Sequence, residues 1–290
     1  MKSLKYLPLI LIASTFISKS YARIFNYETT RMKSTAGTGI ATPLVDEATM
    51  LNPATLGFFN LSALYIQKSN SDITAQSQTT NSESKSYGFI ASDTKGNVKG
   101  SLSYFKQDYN NESRKQFNAS IASTIGKWSS SGVTYKKITD TIDGVDKDYV
   151  ITTFGVSHFV DKNLAMGIVV NDPFKAKEFE TRAIVGLQYT LKDYINIMLD
   201  AGADYNQDLQ ESSLVRAALQ LKVWNNFFLR FGASEDKLLK ERSTGAGIGW
   251  VQPRLVLNFA LKNTSLSEDE KLNQKEEDIK ETSFSLSYRF

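Results

Sequence analysis

The 290-residue sequence contains no cysteine and only one histidine, His158. Without thiols the chain has no disulfides, and a metal site built on thiolate or imidazole ligands is not expected. A serine–histidine–aspartate arrangement would have to use His158, which lies in the middle of a predicted strand. We therefore expect neither enzymatic activity nor a cofactor.

Long apolar runs and an excess of one charge are also missing. Beyond residue 22 no stretch reaches 18 apolar residues, which excludes a membrane protein built from helices. The 34 basic and 31 acidic residues leave a net charge of only +3, which gives no support for a nucleic-acid partner.

The N-terminus has the features of a secretory signal peptide. Lys2 and Lys5 precede an apolar run over residues 7–17, and Ser20 and Ala22 place small residues before a cleavage site. The run is too short for a membrane-spanning helix. We predict a signal peptide over residues 1–22, cleaved after Ala22, and hence an exported protein.

Alternation of apolar and polar residues is the main signal in the rest of the chain. The last segment shows it most clearly, with one apolar face and one polar face: Phe284, Leu286, Tyr288 and Phe290 against Ser283, Ser285, Ser287 and Arg289. The same pattern recurs over residues 194–203, 215–223, 226–233 and 254–262. This period of two predicts β-strands that separate an apolar environment from a polar one.

The lengths of these segments and of their connections favour a transmembrane barrel over a soluble sandwich. We predict strands over 61–69, 84–92, 98–107, 115–126, 128–137, 149–160, 163–171, 183–192, 194–203, 214–223, 226–234, 244–252, 254–263 and 281–290. Tight turns alternate with longer polar loops, as in outer-membrane barrels. The fold class is an all-β antiparallel barrel of about 14 strands over residues 61–290. Segments 61–69 and 149–160 alternate poorly, so 12 strands remain open.

The chain ends in Tyr288-Arg289-Phe290. A terminal phenylalanine after an alternating strand resembles the assembly signal of bacterial outer-membrane barrels. The resemblance implies that the outer membrane is the location, that its lipid surrounds the chain, and that the barrel assembly machinery binds the last strand.

Residues 23–60 do not alternate, and three short motifs follow one another in them. These are the glycines Gly37 and Gly39, then Asp46 before Glu47-Ala48, then Asn52-Pro53-Ala54. The order, over about 20 residues, resembles the N-terminal signature of FadL-type outer-membrane transporters of hydrophobic compounds and of the related PorV-type barrels. In those families the segment is a plug, or hatch, inside the barrel. The alternative is a periplasmic linker that carries a turn.

The local chemistry of the last motif predicts a short helix. Asn52 is a good N-cap residue, and Pro53 suits the first helical position.

Several inward-facing candidates would line the lumen. Their combination of apolar and basic side chains suits an amphipathic ligand whose carboxylate meets an arginine. The candidates are Phe105, Ile184, Met198, Arg216, Phe228, Arg230 and Arg254. The resemblance to FadL-type transporters, together with the strand count, implies a channel for passive uptake of small hydrophobic or amphipathic molecules such as fatty acids.

Two alternatives to uptake of hydrophobic molecules remain open. The resemblance to PorV-type barrels equally implies a non-transporting scaffold or a carrier of surface proteins, and a narrow pore for polar solutes is the third possibility. FadL-type chains are also usually longer, with extended outer loops. Here the longest loops, 70–83 and 264–280, are polar, so the exterior ligand site of that family is not expected.

Overall fold

The computed structural model describes residues 26–75, 82–109, 112–177, 179–269, 274 and 276–290. The predicted signal peptide, residues 1–22, lies outside these residues. Fourteen antiparallel strands in the described part form one closed barrel, in which each strand pairs with its sequence neighbours and the first strand pairs with the last. The prediction of 14 strands is confirmed, and 12 is wrong.

The strands are long, between 8 and 15 residues. Their bounds are β1 Ser62–Ala75, β2 Ser82–Asp93, β3 Lys99–Tyr109, β4 Glu112–Thr124, β5 Ser129–Ile142, β6 Val145–Phe159, β7 Leu164–Asn171, β8 Arg182–Leu191, β9 Ile195–Ala203, β10 Leu214–Trp224, β11 Phe227–Asp236, β12 Glu241–Val251, β13 Leu255–Leu266 and β14 Glu277–Arg289. The tight turns share one end of the barrel with the start of β1 and the end of β14. The longer connections share the other end, which we call the loop end.

The outer face of the barrel is apolar in its middle. Large side chains there are about half exposed, for example Leu102 at 52%, Ile168 at 50% and Leu199 at 50%. A continuous apolar surface of this kind is rare on soluble monomers. It is the surface that a bilayer-spanning barrel presents to hydrocarbon.

Exposed aromatic side chains mark the turn end of the outer face. Trp128, Tyr194, Trp224 and Phe290 all lie in or beside the tight turns or at the chain end. Amphipathic rings at this level suit the interface between lipid and water. His158 also lies on the outer face, where its Nδ1 is 2.8 Å from the Ser129 hydroxyl.

Helices are few and short. The described residues contain α1 Thr30–Ser34, a 3₁₀ helix over Pro53–Phe58, and α2 Leu209–Ser212 in the loop between β9 and β10. None of these helices is long and apolar enough to cross a membrane. The first two belong to residues 26–61, which contact the inward-facing residues of the barrel and are called the N-terminal segment below.

Candidate functional site

The N-terminal segment runs through the lumen from the loop end to the turn end. At the loop end, Asn26 Oδ1 accepts a hydrogen bond from Arg114 Nη1 at 3.1 Å. At the turn end, Leu61 O accepts from the backbone N–H of Thr94 at 3.0 Å, and β1 begins at the next residue. The segment therefore occupies the lumen along the axis of the barrel.

Buried ion pairs attach α1 to the barrel wall. Lys33 pairs with Glu281 of β14, and Glu28 pairs with Lys262 of β13 at 2.8 Å. The side chains of Lys33 and Lys262 are each 6% exposed. Removing one partner of such a pair leaves a buried charge without its counter-ion, so these contacts fix the position of α1.

One threonine of α1 spans the seam at which the barrel closes. The Thr30 N–H donates to Gln67 Oε1 of β1 at 2.8 Å, and the Thr30 hydroxyl is 2.7 Å from the Ser283 hydroxyl of β14. The segment thus binds the first and last strands at the same point.

Asp200 of β9 holds the glycine-containing stretch of the segment. Its Oδ2 accepts from the N–H of Gly39 at 2.8 Å and from that of Ile40 at 3.3 Å. Nearby, Arg216 Nη1 donates to the carbonyl of Gly37 at 3.1 Å. Both wall residues thus satisfy backbone groups that would otherwise be buried without partners.

Asn52 caps the 3₁₀ helix, and Pro53 is its first residue. Asn52 Oδ1 accepts from the N–H of Ala54 at 3.1 Å, which confirms the predicted cap. Its Nδ2 donates to the carbonyl of Ile40 at 2.9 Å and to that of Val156 in β6 at 3.2 Å. The same amide therefore joins two parts of the segment to the wall.

Inward-facing glycines make room for the segment. A Cβ added to Gly132 would lie 2.7 Å from the carbonyl carbon of Pro53, and one added to Gly167 would lie 2.6 Å from the carbonyl oxygen of Ile40. Similar clashes with the segment would occur at other wall glycines, namely Gly88, Gly155, Gly186, Gly232, Gly245 and Gly247. The wall and the segment are therefore complementary in shape at the level of the backbone.

Two chambers lie on opposite sides of the segment. The upper chamber, toward the loop end, has a cavity volume of about 150 Å³ and an apolar floor of Met32, Ile40, Leu51, Val169 and Ile184. Lys136 and Arg216 also face it. Within the described residues neither cation has a carboxylate within 4.0 Å, and Lys136 Nζ donates to Asn171 Oδ1 at 3.3 Å.

A charged cluster lies above the upper chamber. Arg114 binds Asp140 through two hydrogen bonds of 2.7 and 2.9 Å, and Lys177, from the loop between β7 and β8, reaches Asp140 at 3.1 Å. Burial and the neighbouring Arg114 guanidinium lower the pKa of Lys177 below its ordinary value. The cluster holds this loop against the loop-end parts of β5 and β6.

The lower chamber, toward the turn end, has a cavity volume of about 230 Å³. Arg31, Arg230 and Arg289 line it together with Asp46 and Glu47, and its apolar part includes Leu44, Phe228, Val251 and Val256. Arg31 pairs with Glu47 at 2.7 Å, and Arg289 pairs with Asp46 at 3.0 Å.

The structure places six of the seven predicted lumen residues on the inner face. Phe105 is buried and stacks on Tyr27 with ring centroids 4.0 Å apart. Ile184 belongs to the apolar floor of the upper chamber, and Met198 accepts a contact from Arg31 Nη2 at 3.4 Å. Arg216 faces the upper chamber, and Phe228 and Arg230 face the lower one.

Arg254 was predicted to face the lumen, and this is wrong. The residue lies in the tight turn between β12 and β13 and is exposed. The predicted strand begins at residue 254, one residue before β13, and this position still belongs to the turn.

Residues that hold the segment were missed by sequence reasoning. They include Glu28, Lys33, Glu47, Asp200, Lys262 and Glu281. Charged side chains at inward positions of the strands indicated that the barrel wall binds something in the lumen. They could not show what it binds, because their partners lie between 161 and 248 residues away in the chain.

Comparisons with known proteins find the same fold in solved structures. No protein-family model matches the sequence, and no curated protein sequence matches it. The monoaromatic hydrocarbon channel CymD matches with a TM-score of 0.71 at 13% identity, over 90% of this chain and 97% of that one. The Pseudomonas putida toluene transporter TodX matches with a TM-score of 0.68 at 10% identity, over 91% and 98%.

A Pseudomonas aeruginosa FadL homologue matches with a TM-score of 0.61 at 10% identity, over 90% of this chain and 98% of that one. The resemblance to FadL-type barrels noted from the N-terminal motifs is confirmed at the level of the fold. This fold, with its apolar outer face, is that of a bacterial outer-membrane protein.

Proposed function

We propose that this chain is an outer-membrane channel for the passive uptake of small hydrophobic or amphipathic molecules, fatty acids among them. The observation that carries the proposal is the upper chamber, whose apolar floor is built jointly by the N-terminal segment and the barrel wall. A concave, largely apolar pocket with a few convergent polar groups is the usual form of a small-molecule site. The hydrocarbon channels of the same fold support this substrate class.

In this proposal the N-terminal segment acts as the plug. Support comes from the buried ion pairs of α1, the contacts of Asp200 with Gly39 and Ile40, and the close approach of Pro53 to Gly132. Further support comes from wall contacts of the motif residues Gly37, Gly39, Asp46, Asn52, Pro53 and Ala54. Because the segment lies between the two chambers, it would control passage from one to the other.

The charged rim of the upper chamber adds a preference for amphipathic anions. Lys136 faces the chamber next to apolar Ile138 and Ile151, and its only hydrogen-bond partner among the described residues is neutral. A carboxylate beside Lys136 would form a charge-assisted hydrogen bond, while the alkyl chain covers the floor. Neutral aromatic molecules would use the floor alone.

Uptake into vesicles tests the proposal. Purified protein is reconstituted in lipid vesicles, and the entry of labelled toluene and of a labelled fatty acid is followed. Both should enter faster than into protein-free vesicles. Lys136→Gln should reduce fatty-acid uptake about 10-fold or more, because a hydrogen bond to a charged group contributes about 1.5–3 kcal/mol, and should leave toluene uptake unchanged.

The neighbouring lysine provides a matched control. Lys137 follows Lys136 in β5 but faces outward, with its side chain 54% exposed. Lys137→Gln makes the same chemical change on the opposite face of the strand and should alter neither uptake rate. Equal uptake with and without protein for both compounds would rule out a transport function.

A scaffold or surface-protein carrier is the second candidate. The close packing of the segment against the wall glycines supports it, because a lumen filled in this way need not conduct anything. Under this alternative the protein would co-purify with a stable partner and show no uptake. For either function, we propose that the barrel assembly machinery binds the last strand, which ends in Phe290.

A further inference from the structure

Among the described residues, Arg230 is a buried cation with no carboxylate within 4.0 Å. It lies on the inner face of β11, is 4% exposed, and borders the lower chamber. Its Nε donates to Gln220 Oε1 and its Nη1 to Asn258 Oδ1, both at 2.8 Å. Both partners are neutral amides, which orient the guanidinium and leave its charge unbalanced.

The carboxylates of the lower chamber are already engaged. Glu47 pairs with Arg31 and accepts from the Thr29 hydroxyl, and Asp46 accepts from Ser287 and pairs with Arg289. Three arginines therefore face two carboxylates, and the excess positive charge lies at Arg230. A charge removed from water in this way is strongly unfavourable unless an opposite charge approaches it.

Other polar atoms of the chamber also lack partners. The hydroxyl of Thr42, Oε1 of Gln188 and Nε of Arg289 are buried, and none has a hydrogen-bond partner in the part of the chain that the structure describes. All three residues line the lower chamber. Since buried polar atoms are normally paired, these atoms beside a buried arginine indicate a site for a polar group. Two of them, the Thr42 hydroxyl and Arg289 Nε, are donors that suit an anion.

The rest of the chamber wall is apolar. Leu44 and Pro43 of the N-terminal segment face it, as do Phe228, Val251 and Val256 of the barrel. A free inorganic anion would leave this surface in contact with water. An alkyl chain attached to the anion would cover it.

We propose that the lower chamber is a second ligand site, specific for the carboxylate of a small amphipathic monoanion. Arg230 is the counter-ion of the carboxylate, and the apolar wall takes the alkyl part. The N-terminal segment separates this site from the upper chamber, so the two sites lie in series along the lumen. The proposed uptake accounts for how the ligand arrives, but binding at Arg230 does not depend on it.

The test uses 6-bromohexanoate as the ligand, with 6-bromohexanol as its neutral equivalent and sodium bromide as the free anion. Calorimetry on the purified full-length barrel in detergent should show binding of the carboxylate alone. Arg230→Gln should weaken it about 10- to 100-fold, the effect of losing a hydrogen bond to a charged group. Arg230→Lys, which keeps the charge, should recover part of the affinity.

Two controls separate this site from the other features of the protein. Arg254→Gln removes the same charged group from an exposed turn at the same end of the barrel and should have no effect. Lys136→Gln acts on the upper chamber and should leave the calorimetric binding at Arg230 intact. Toluene uptake into vesicles should also be unchanged in Arg230→Gln, so loss of transport and loss of this site are separate results.

Crystals of the unmodified protein grown with 6-bromohexanoate give a result that depends on no variant. Anomalous density for bromine in the lower chamber, with the carboxylate at Arg230, is expected. Bromine found only above the N-terminal segment, equal binding of the alcohol, or displacement by equal concentrations of bromide would overturn the proposal. So would unchanged affinity in a folded Arg230→Gln protein.

Discussion

Substitution of Gly132 by alanine should release the N-terminal segment while leaving the barrel closed. The added Cβ would lie 2.7 Å from the carbonyl carbon of Pro53 and 2.8 Å from the backbone nitrogen of Ala54. Ordinary contact requires about 3.4 Å, so the 3₁₀ helix must move by 3.4 − 2.7, or about 0.7 Å. Neither clash involves a side chain that can rotate away.

The size of the effect follows from this displacement. Overpacking of a well-packed interior costs about 1–3 kcal/mol. The shift would also lengthen the 3.2 Å hydrogen bond from Asn52 to Val156 beyond bonding distance, which adds about 0.5–1.5 kcal/mol. Together these terms weaken docking of the segment by about 1.5–4.5 kcal/mol, or roughly 10- to 1,000-fold in population.

Limited digestion with chymotrypsin measures the release. Leu51 and Leu56 are buried, at 6% and 0% exposure, so the parent protein should resist cleavage there. Gly132→Ala should be cut at these residues and should show higher ion conductance in planar bilayers. Gly100→Ala is the control, because its Cβ would meet its nearest neighbour at 3.5 Å. Equal protection of both variants would refute the steric argument.

Three further outcomes are expected. Lys33→Met removes the ion-pair partner of Glu281 and should weaken docking of the N-terminal segment by about 3 kcal/mol. Trypsin should then cleave at Arg31, and the Lys33→Met, Glu281→Gln double variant should recover part of the protection. Absence of cleavage in Lys33→Met would contradict this prediction. Asp200→Ala leaves two backbone N–H groups unpaired and should weaken docking of the segment by about 1–3 kcal/mol. Hydrogen exchange of the segment should then be faster than in the parent protein, and exchange as slow as in the parent would contradict this prediction. Leu199→Arg places a charge on the lipid face and should lower barrel stability by about 2–4 kcal/mol in urea titrations in vesicles, whereas Tyr205→Arg in the adjoining loop should not.

The sequence predicted the strands best where they lie in the bilayer. At the turn end every predicted boundary is within two residues of the structure, for example 61 against 62 for β1 and 163 against 164 for β7. At the loop end the prediction stopped early, by six residues in β1 and five in β5. There the strands extend past the apolar belt, so both faces are polar and the alternation that identifies a strand disappears.

The interior of the barrel was harder to predict. Alternation correctly predicted that Arg216 and Arg230 face inward. It cannot show that Arg216 donates a hydrogen bond to Gly37, or that the partners of Arg230 among the described residues are neutral amides. These contacts depend on how the N-terminal segment folds, which no period reveals. The helix cap at Asn52 could be predicted from the motif Asn52-Pro53, because the hydrogen bond of the cap joins residues only two positions apart. The ion pair of Lys33 with Glu281 is not local, and nothing near either residue indicated it.

The hydrogen bonds of Thr30 to Gln67 and to Ser283 couple two events that are otherwise separate. Pairing of β1 with β14 joins parts of the chain more than 200 residues apart, and Thr30 binds both of them. By linkage, closure of the seam stabilises docking of α1 by the same free energy by which docked α1 stabilises the closed seam. Mutations that loosen α1 should therefore slow the final closure of the cylinder during biogenesis, and a ligand that displaces α1 would weaken the wall at that seam.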